Sequence, residues 1–290
     1  MATKISTTIE TIALGVGDEK AVEFVAKAGF DAFDYSFFTT YDYNWDTMRA
    51  TPKDNHPFNK TNYADYMKYI RKIGEDNGIV CNQTHSPFPV CSKDVRNLLK
   101  KSIECSAILG AELTVIHPDN DKTAEENAEM YFELLPFAKE HNVKIATENM
   151  WNWKDGEPTN AACSSPEDFK KHIDVVNDPF LIACVDIGHA EMRGMKTSAV
   201  EIIKTLGHRV QALHLHDNDK VLDLHAIPFT MNVEFEPIVK ALKEIDYKGY
   251  FTLEVSSRLK GASNEQAFEK VKELFNSAKR LAEMFDNMKI

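Results

Sequence analysis

The sequence has little of what disulfide-stabilised, secreted or membrane-spanning proteins need. It has five cysteines, an odd number without a CxxC pair, so neither a disulfide framework nor a zinc ribbon is indicated. No run of about 18 consecutive apolar residues predicts a transmembrane helix, and the N-terminal segment does not resemble a secretory signal. We therefore expect a cytoplasmic protein. The cysteines are interpreted as core residues: Cys81, Cys91, Cys105, Cys163 and Cys184.

Positive charge is also scarce. The 290 residues include 34 Lys and Arg against 45 Asp and Glu, which gives a formal net charge of −11. Because an acidic chain repels phosphate backbones, sequence-independent binding to nucleic acid is disfavoured. No Pro-, Gly- or Ser-rich linker divides the chain, and the length allows a large core. The interpretation is a single domain over residues 1–290.

A recurring unit organises the chain. An amphipathic segment ends at Gly, Asn or a turn with Pro, and a short apolar run rich in β-branched residues follows. Such runs lie in the 30s, 80s, 110s, 140s, 180s, 210s and 250s, and a weaker one lies near Ile5–Ile9. Eight strands alternating with helices predict an α/β fold, the (β/α)8 TIM barrel. An open doubly wound sheet is the alternative, weakened by the absence of a GxGxxG or P-loop motif.

Several local signals support the helices of this pattern. Thr123–Glu126 and Ser263–Gln266 are capping-box patterns, and Ser165 precedes Pro166 as an N-cap. Two long aromatic-rich connections, residues 38–60 and 149–164, follow the second and fifth predicted strands. Loops of this length are uncommon unless they bind or cover something.

Nearly every predicted strand from the third onward ends in a side chain that can bind a metal. In a barrel these ends meet at the C-terminal mouth, where barrel enzymes keep their active sites. A single histidine at a strand end is usually only a hydrogen-bonded polar residue, but clustered carboxylates need a cation or protons. Ligands of this type suit Mn, Mg, Co, Zn or Fe(II). The candidates are His85, His117, Glu148, Asp186, His189, His214, His216, Glu254 and, in a following loop, Asp223 and His225.

The order and spacing of short motifs resemble a known family, the xylose isomerase-like TIM barrels. The motifs are THSPFP, IHP, EN, DxGH, HxxDN, DxH and LE, and the similarity runs from about residue 5 to 285. The family includes sugar isomerases and epimerases and the endonuclease IV repair enzymes. The resemblance implies a divalent metal, of open identity and number, bound by Glu148, Asp186, His214 and Glu254, with His216 as a second choice to His214.

The resemblance also assigns roles to the remaining candidates. His189 would contact metal or substrate oxygens. Four residues match positions that hold extra zinc ions in the endonuclease IV branch and that more often contact substrate among the isomerases: His85, His117, Asp223 and His225. Lys154 and Lys220 stand where ketose 3-epimerases carry an acidic residue and an Arg. These lysines either hold a phosphate or carboxylate or are solvated loop residues.

The resemblance implies an enzyme whose substrate is a small sugar or sugar phosphate. A metal would polarise a carbonyl, and Glu148 and Glu254 would move the proton of the adjacent C–H bond, giving isomerisation or epimerisation. Three alternatives stay open: a lyase or dehydratase acting on a polyol or keto acid, an endonuclease IV-like phosphodiesterase, and a non-catalytic sugar-binding barrel. No membrane partner is expected, and a homodimer is possible.

Overall fold

The computed structural model describes residues 2–44, 46–47, 49–92, 94–256 and 263–289. Its strands follow one another along the chain with the bounds β1 (Ile5–Thr8), β2 (Ala32–Ser36), β3 (Tyr41–Asn44), β4 (Arg49–Pro52), β5 (Val80–His85), β6 (Leu113–Val115), β7 (Lys144–Glu148), β8 (Trp151–Lys154), β9 (Glu157–Asn160), β10 (Leu181–Asp186), β11 (Val210–His214) and β12 (Phe251–Leu253).

The helices alternate with these strands. Their bounds are α1 (Glu10–Val16), α2 (Asp18–Ala28), α3 (Tyr63–Asp76), α4 (Val95–Leu109), α5 (Ala124–Glu140), α6 (Pro166–Val176), α7 (Ile187–Ala190), α8 (Ala199–Leu206), α9 (Phe235–Glu244) and α10 (Asn264–Asn287). Within the described ranges, no helix combines the length and apolar character needed to cross a bilayer.

Eight of the strands form one parallel sheet that curves into a barrel. Their order is β12-β1-β2-β5-β6-β7-β10-β11. The ends of this order meet through Leu215, whose N–H donates to the carbonyl of Thr252 at 2.9 Å and whose carbonyl accepts from the N–H of Glu254 at 3.1 Å. The (β/α)8 barrel predicted from the sequence is confirmed, including the weaker first strand.

The predicted helix starts and stops are also confirmed. Thr123 and Ser263 form capping boxes, and the Ser165 side chain accepts from the N–H of Asp168. Gly29 and Gly110 adopt positive φ at the ends of α2 and α4, the conformation that lets the chain leave a helix toward the next strand.

Each of the two long connections contains a hairpin that the sequence patterns did not predict. β3 pairs with β4 after the second barrel strand, and β8 pairs with β9 after the fifth. Phe38 stacks on Tyr43 with ring centroids 5.1 Å apart, and Trp151 contacts Trp153 edge-on at 6.3 Å. The aromatic residues that marked these loops therefore pack the hairpins at the barrel mouth.

The apolar core has an outer and an inner part. The larger clusters fill the space between the sheet and the helices, where Phe33, Phe169 and Phe251 are fully buried. A separate small cluster consists of Val115, Ala146, Ile182, Cys184 and Ala212. Because residues of equal parity on a strand face the same side, this cluster lies inside the barrel, directly beneath Glu148, Asp186 and His214.

Candidate active site

The candidate ligands meet at one end of the barrel because parallel strands all end there. Asp186 lies level with His214 in the pairing of β10 and β11. A cavity of about 410 Å³ opens above them, within the range typical of small-ligand sites. Seven of the predicted site residues line it: His85, His117, Glu148, His189, Asp223, His225 and Glu254.

The central group consists of the four residues that the family resemblance assigned to the metal. One ligand atom from each of Glu148, Asp186, His214 and Glu254 lies within 4.8 Å of all the others. His214 Nδ1 is 3.1 Å from Glu148 Oε1 and 3.2 Å from Glu254 Oε2. The structure therefore brings three carboxylates to one imidazole.

A second group adjoins the central one through Glu148. His117 Nε2 is 3.1 Å from Glu148 Oε2, and His85 Nε2 is 4.0 Å from the same oxygen. The two histidines also point these nitrogens at each other across 2.9 Å. Three ligand atoms thus converge on one point that either a shared proton or a cation can occupy.

A third group lies on the other side of the central one, around Asp223. His189 Nε2 and His225 Nε2 are 3.1 and 3.0 Å from Asp223 Oδ2. Their Nδ1 atoms face backbone carbonyls, those of Asn149 at 2.9 Å and Glu254 at 3.0 Å. Because a carbonyl only accepts, Nδ1 carries the hydrogen in both rings, and Nε2 is the atom presented to the site.

His216 belongs to this third group and also contacts the central one through Asp186. Its ring stacks on His225 with centroids 4.0 Å apart, and its Nε2 lies 3.0 Å from Asp186 Oδ1. Gly188 makes this position possible, since a Cβ there would stand 1.9 Å from the His216 ring. The DxGH motif thus supplies a carboxylate, room for a second histidine, and His189.

Neighbouring polar residues hold the motifs in place. Asp186 caps the short helix α7 by accepting the N–H of His189 at 2.7 Å. The Asn149 side chain exchanges two hydrogen bonds with the backbone of Asp186, at 2.8 and 2.9 Å. Asp217 accepts from the N–H groups of Met231 and Val233 and so folds the loop that carries Asp223. Asn149 of the EN motif therefore orients the ligand Asp186, whereas Asp217 of HxxDN binds loop backbone.

Burial and neighbouring charges shift the pKa values of several residues in the site. Burial raises the pKa of Glu254 to about 8. Burial acts the same way on Glu148, but the charges of His214 and His117 outweigh it and hold that pKa well below its usual range. Burial would lower the pKa of His225, yet Asp223 raises it to about 10. Such opposed shifts within one cavity are typical of functional sites.

The residues present fit a divalent cation. The ligand mix of the three groups is imidazole and carboxylate. Several buried polar atoms of the cluster find no hydrogen-bond partner in the described part of the chain: His117 Nδ1, His214 Nε2, His216 Nδ1 and Asp223 Oδ1. Buried polar groups are rarely left so unless a ligand or a reactive role accounts for them.

The cavity walls include residues that the sequence analysis did not select. Glu10 follows β1, and burial raises its pKa. The Trp151 indole N–H donates to Asp223 at 3.3 Å from the β8–β9 hairpin. In the sequence, only the aromatic character of the two long connections indicated that residues such as Phe38 and Trp151 would border the cavity. The additional lining residues are Thr8, Glu10, Thr11, Phe38, Phe88, Asn120, Met150, Trp151, Val255 and Ser256.

The two loop lysines lie away from the described lining of the cavity. Lys220 is 3.6 Å from a carboxylate oxygen of Glu191. Lys154 is exposed at the end of β8. Of the two readings that the sequence allowed, these positions favour solvated loop residues.

The family is defined by comparison with known proteins. Residues 22–278 match the model of the xylose isomerase-like TIM barrel, and the chain belongs to this family. The chain is 24% identical over 253 residues to an uncharacterized protein of Methanocaldococcus jannaschii, covering 81% of this chain and 83% of that protein.

Two further proteins are similar to this chain. An inosose dehydratase of Glaesserella parasuis serovar 5 is 24% identical over 153 residues, covering 47% of this chain and 48% of the relative. A D-tagatose 3-epimerase-like protein of known structure superimposes with a TM-score of 0.68, at 19% identity, with 97% of this chain and 98% of that one covered. That likeness supports the fold.

Proposed function

We propose that the protein is a divalent-metal-dependent isomerase or epimerase acting on a sugar or sugar derivative. The observation that carries the proposal is the central group, in which Glu148, Asp186, His214 and Glu254 bring four ligand atoms within 4.8 Å of one another below an open cavity. The D-tagatose 3-epimerase-like neighbour supports the same reading.

The four residues of the central group lie at two depths relative to the cavity. Asp186 and His214 are fully buried and would hold the ion at the base of the cavity. Glu148 and Glu254 line the cavity, and Glu254 is the more open, with 21% of its side chain exposed. The ion, when bound, polarises a substrate carbonyl and acidifies the adjacent C–H bond.

Glu254 and Glu148 are the groups proposed to move the proton. Both border the space that a sugar would occupy. Glu148 is the last residue of β7 and Glu254 directly follows β12, so the two lie on different sides of the mouth. A carboxylate placed within hydrogen-bond reach of an acidified C–H bond contributes roughly 10²–10⁴-fold to rate as a general base. Trp151 and Phe38 border the same space and give it an aromatic wall.

The test is solvent hydrogen exchange into a panel of aldoses, ketoses and their phosphates, with Mn, Mg, Co, Zn or Fe(II) supplied in turn. We expect deuterium incorporation at the carbon next to the carbonyl, and its loss in Glu254→Gln at saturating metal. Asp217→Asn is the matched control, because Asp217 is also a buried carboxylate of this region but contacts backbone N–H groups. Unchanged exchange in Glu254→Gln would remove Glu254 from the proposed chemistry.

The same experiment distinguishes a dehydratase. The same ion and carboxylates can eliminate water β to a carbonyl, and the partial likeness to an inosose dehydratase motivates looking for this reaction. Loss of substrate with formation of an ultraviolet-absorbing enone would assign the chain to that chemistry instead of isomerisation.

A second candidate function is suggested by the two groups that flank the central one. His85, His117 and Glu148 form one set of possible ligands, and His189, His216, Asp223 and His225 form another. Several adjacent ions would suit phosphodiester hydrolysis of the endonuclease IV type, although the net charge of −11 opposes DNA binding. Metal content near three ions per chain and cleavage of an abasic duplex at low salt would favour this candidate, whereas one ion and no cleavage would exclude it.

A further inference from the structure

His214 presents its two ring nitrogens to different surroundings. Nδ1 faces the carboxylates of Glu148 and Glu254 at 3.1 and 3.2 Å. Nε2 points to the opposite side, where the nearest carboxylate oxygen is Asp34 Oδ2 at 3.7 Å. No described group forms a hydrogen bond to Nε2, although the side chain is fully buried.

Asp34 lies on β2 and is 1% exposed. Its Oδ2 accepts one hydrogen bond, from Gln83 Nε2 at 3.0 Å, and its Oδ1 has no partner among the described residues. A buried carboxylate with one amide partner is costly in free energy. Two incompletely satisfied polar groups, Asp34 and His214 Nε2, therefore face each other at 3.7 Å, about 0.5 Å beyond the usual upper limit of an N–H···O hydrogen bond.

The side chain of Gln83 fixes Asp34 in this place. Its carbonyl oxygen accepts from Thr252 Oγ1 at 3.2 Å and from Asn82 Nδ2 at 3.4 Å. This leaves the NH₂ group of Gln83 directed at Asp34. A register shift between β2 and β5 at Phe33 and Asp34 brings Gln83 level with Asp34.

We propose that Asp34 is a positioning residue that accepts the Nε2–H of His214 and so keeps Nδ1 free to bind the metal. The inference rests on the proposed function to the extent that His214 is a metal ligand. Histidines that bind metals generally donate their other ring N–H to a carboxylate or carbonyl, which sets the tautomer and the ring orientation. Here Asp34 is the carboxylate on that side of the ring.

The principal test is the metal affinity of Asp34→Asn, measured by titration calorimetry with Mn and Zn. We expect the Kd to rise by about 10–100-fold, the loss usual for such partners. Gln83→Met is a second variant, which keeps the carboxylate but removes the amide that holds it. It should weaken metal binding in the same direction by a smaller factor, and it keeps the test valid if Asp34→Asn does not fold.

The matched control is Thr114→Val, another buried polar strand residue. Thr114 hydrogen-bonds to Thr84 at 2.8 Å and Ser86 at 2.9 Å and does not contact a candidate ligand. We expect this variant to lower Tm without changing the metal Kd. A purely structural Asp34 would behave in the same way, so unchanged metal affinity in both Asp34→Asn and Gln83→Met overturns the proposal.

A second readout separates this inference from the proposed function. In the zinc-loaded protein, ¹H–¹⁵N correlations of the His214 ring should show the hydrogen on Nε2 in the wild type and a changed pattern in Asp34→Asn. A hydrogen on Nδ1 in the wild type would overturn the assignment. If the tautomer and affinity respond as expected but no sugar exchanges its proton, the inference holds and the isomerase proposal fails.

Discussion

The barrel interior has two polar layers of different chemistry. The lower layer, nearer the N-terminal ends of the strands, is neutral, and its members bond to one another. Ser6 Oγ donates to Asn82 at 2.6 Å, and Asn82 and Thr252 both donate to Gln83. The upper layer at the mouth carries the histidines and carboxylates, and several of its buried atoms find no partner among the described residues.

The difference shows which layer maintains the fold and which is built for a ligand. A satisfied neutral network holds the barrel together and requires nothing further. Convergent carboxylates and imidazoles oppose folding unless protons or a cation neutralise them. Variants in the two layers should therefore separate into those that change stability and those that change metal binding, with Gln83 as the exception, because it also donates to Asp34.

The largest effect is expected from two adjacent residues of β7. Glu148→Gln should reduce metal affinity by more than about 100-fold, because losing a ligand costs more than losing its partner, and it should abolish turnover. Thr147→Val removes the hydrogen bond between Thr147 and Tyr131. It should cost about 1 kcal/mol of stability and leave metal content unchanged. Metal analysis by mass spectrometry with thermal melts would check both, and equal metal loss in the two variants would contradict the comparison.

In the metal-free protein, the free energy of unfolding should depend on pH, because the histidines and carboxylates of the upper layer bind and release protons. The ordinary pKa of 4.5 for Glu254 is raised to about 8, and that of 6.5 for His225 to about 10. Because both groups bind protons more tightly in the folded protein, each stabilises it at low pH. The contribution of Glu254 is complete below pH 4.5 and is lost as pH rises through about 8. The contribution of His225 is complete below pH 6.5 and is lost as pH rises through about 10. The lowered pKa values of Glu148 and Asp223 act oppositely, and their contribution is lost below pH 4.

Denaturant melts of the metal-free protein should therefore show maximal stability near pH 5–6 and a decline above it. Glu254→Gln should flatten the part of the decline that lies between the maximum and about pH 8. A metal-free protein whose stability rises steadily from pH 6 to 9 would show that these groups are not protonated as their surroundings indicate.

A smaller effect is expected from the loop carboxylate Asp217. Asp217→Asn removes charge from a side chain that accepts from the N–H groups of Asn218, Met231 and Val233. Loss of these bonds should cost about 1–3 kcal/mol of unfolding free energy. At temperatures where the variant is folded, metal Kd should stay close to that of the wild type. A loss of metal binding as large as that of Glu148→Gln would place Asp217 in the ligand layer.

The smallest effect is expected from the loop lysines. Lys154→Ala and Lys220→Ala should each change the KM for a phosphorylated sugar by less than about twofold, since Lys154 is exposed and Lys220 makes only a loose ion pair with Glu191. Steady-state kinetics would check this. A tenfold rise in KM confined to phosphorylated substrates would instead assign a lysine to phosphate binding.

The sequence alone predicted the barrel and which ligand-type residues lie at its mouth, for reasons tied to local chemistry. Apolar runs ending in Glu148, Asp186 or His214 predict strands covered on both faces that end at the mouth, and the capping residue Thr123 marks a helix start without reference to the rest of the chain. The hairpins β3–β4 and β8–β9 were missed because their strands are four residues each. The alternation in Tyr41–Asn44 and Trp151–Lys154 is too short to distinguish a strand from a loop, and the partner strands Arg49–Pro52 and Glu157–Asn160 carry no run of β-branched or aromatic residues.

What only the tertiary structure decided is how the ligand-type residues are grouped and oriented. Spacing along the chain places each at a strand end, but it does not reveal that His85 and His117 share Glu148 or that His189 and His225 share Asp223. It also gave no reason to select Asp34, which became visible only when the β2–β5 register placed it below His214. Strand ends follow from local patterns, whereas distances across the barrel depend on register and closure, which every strand determines together.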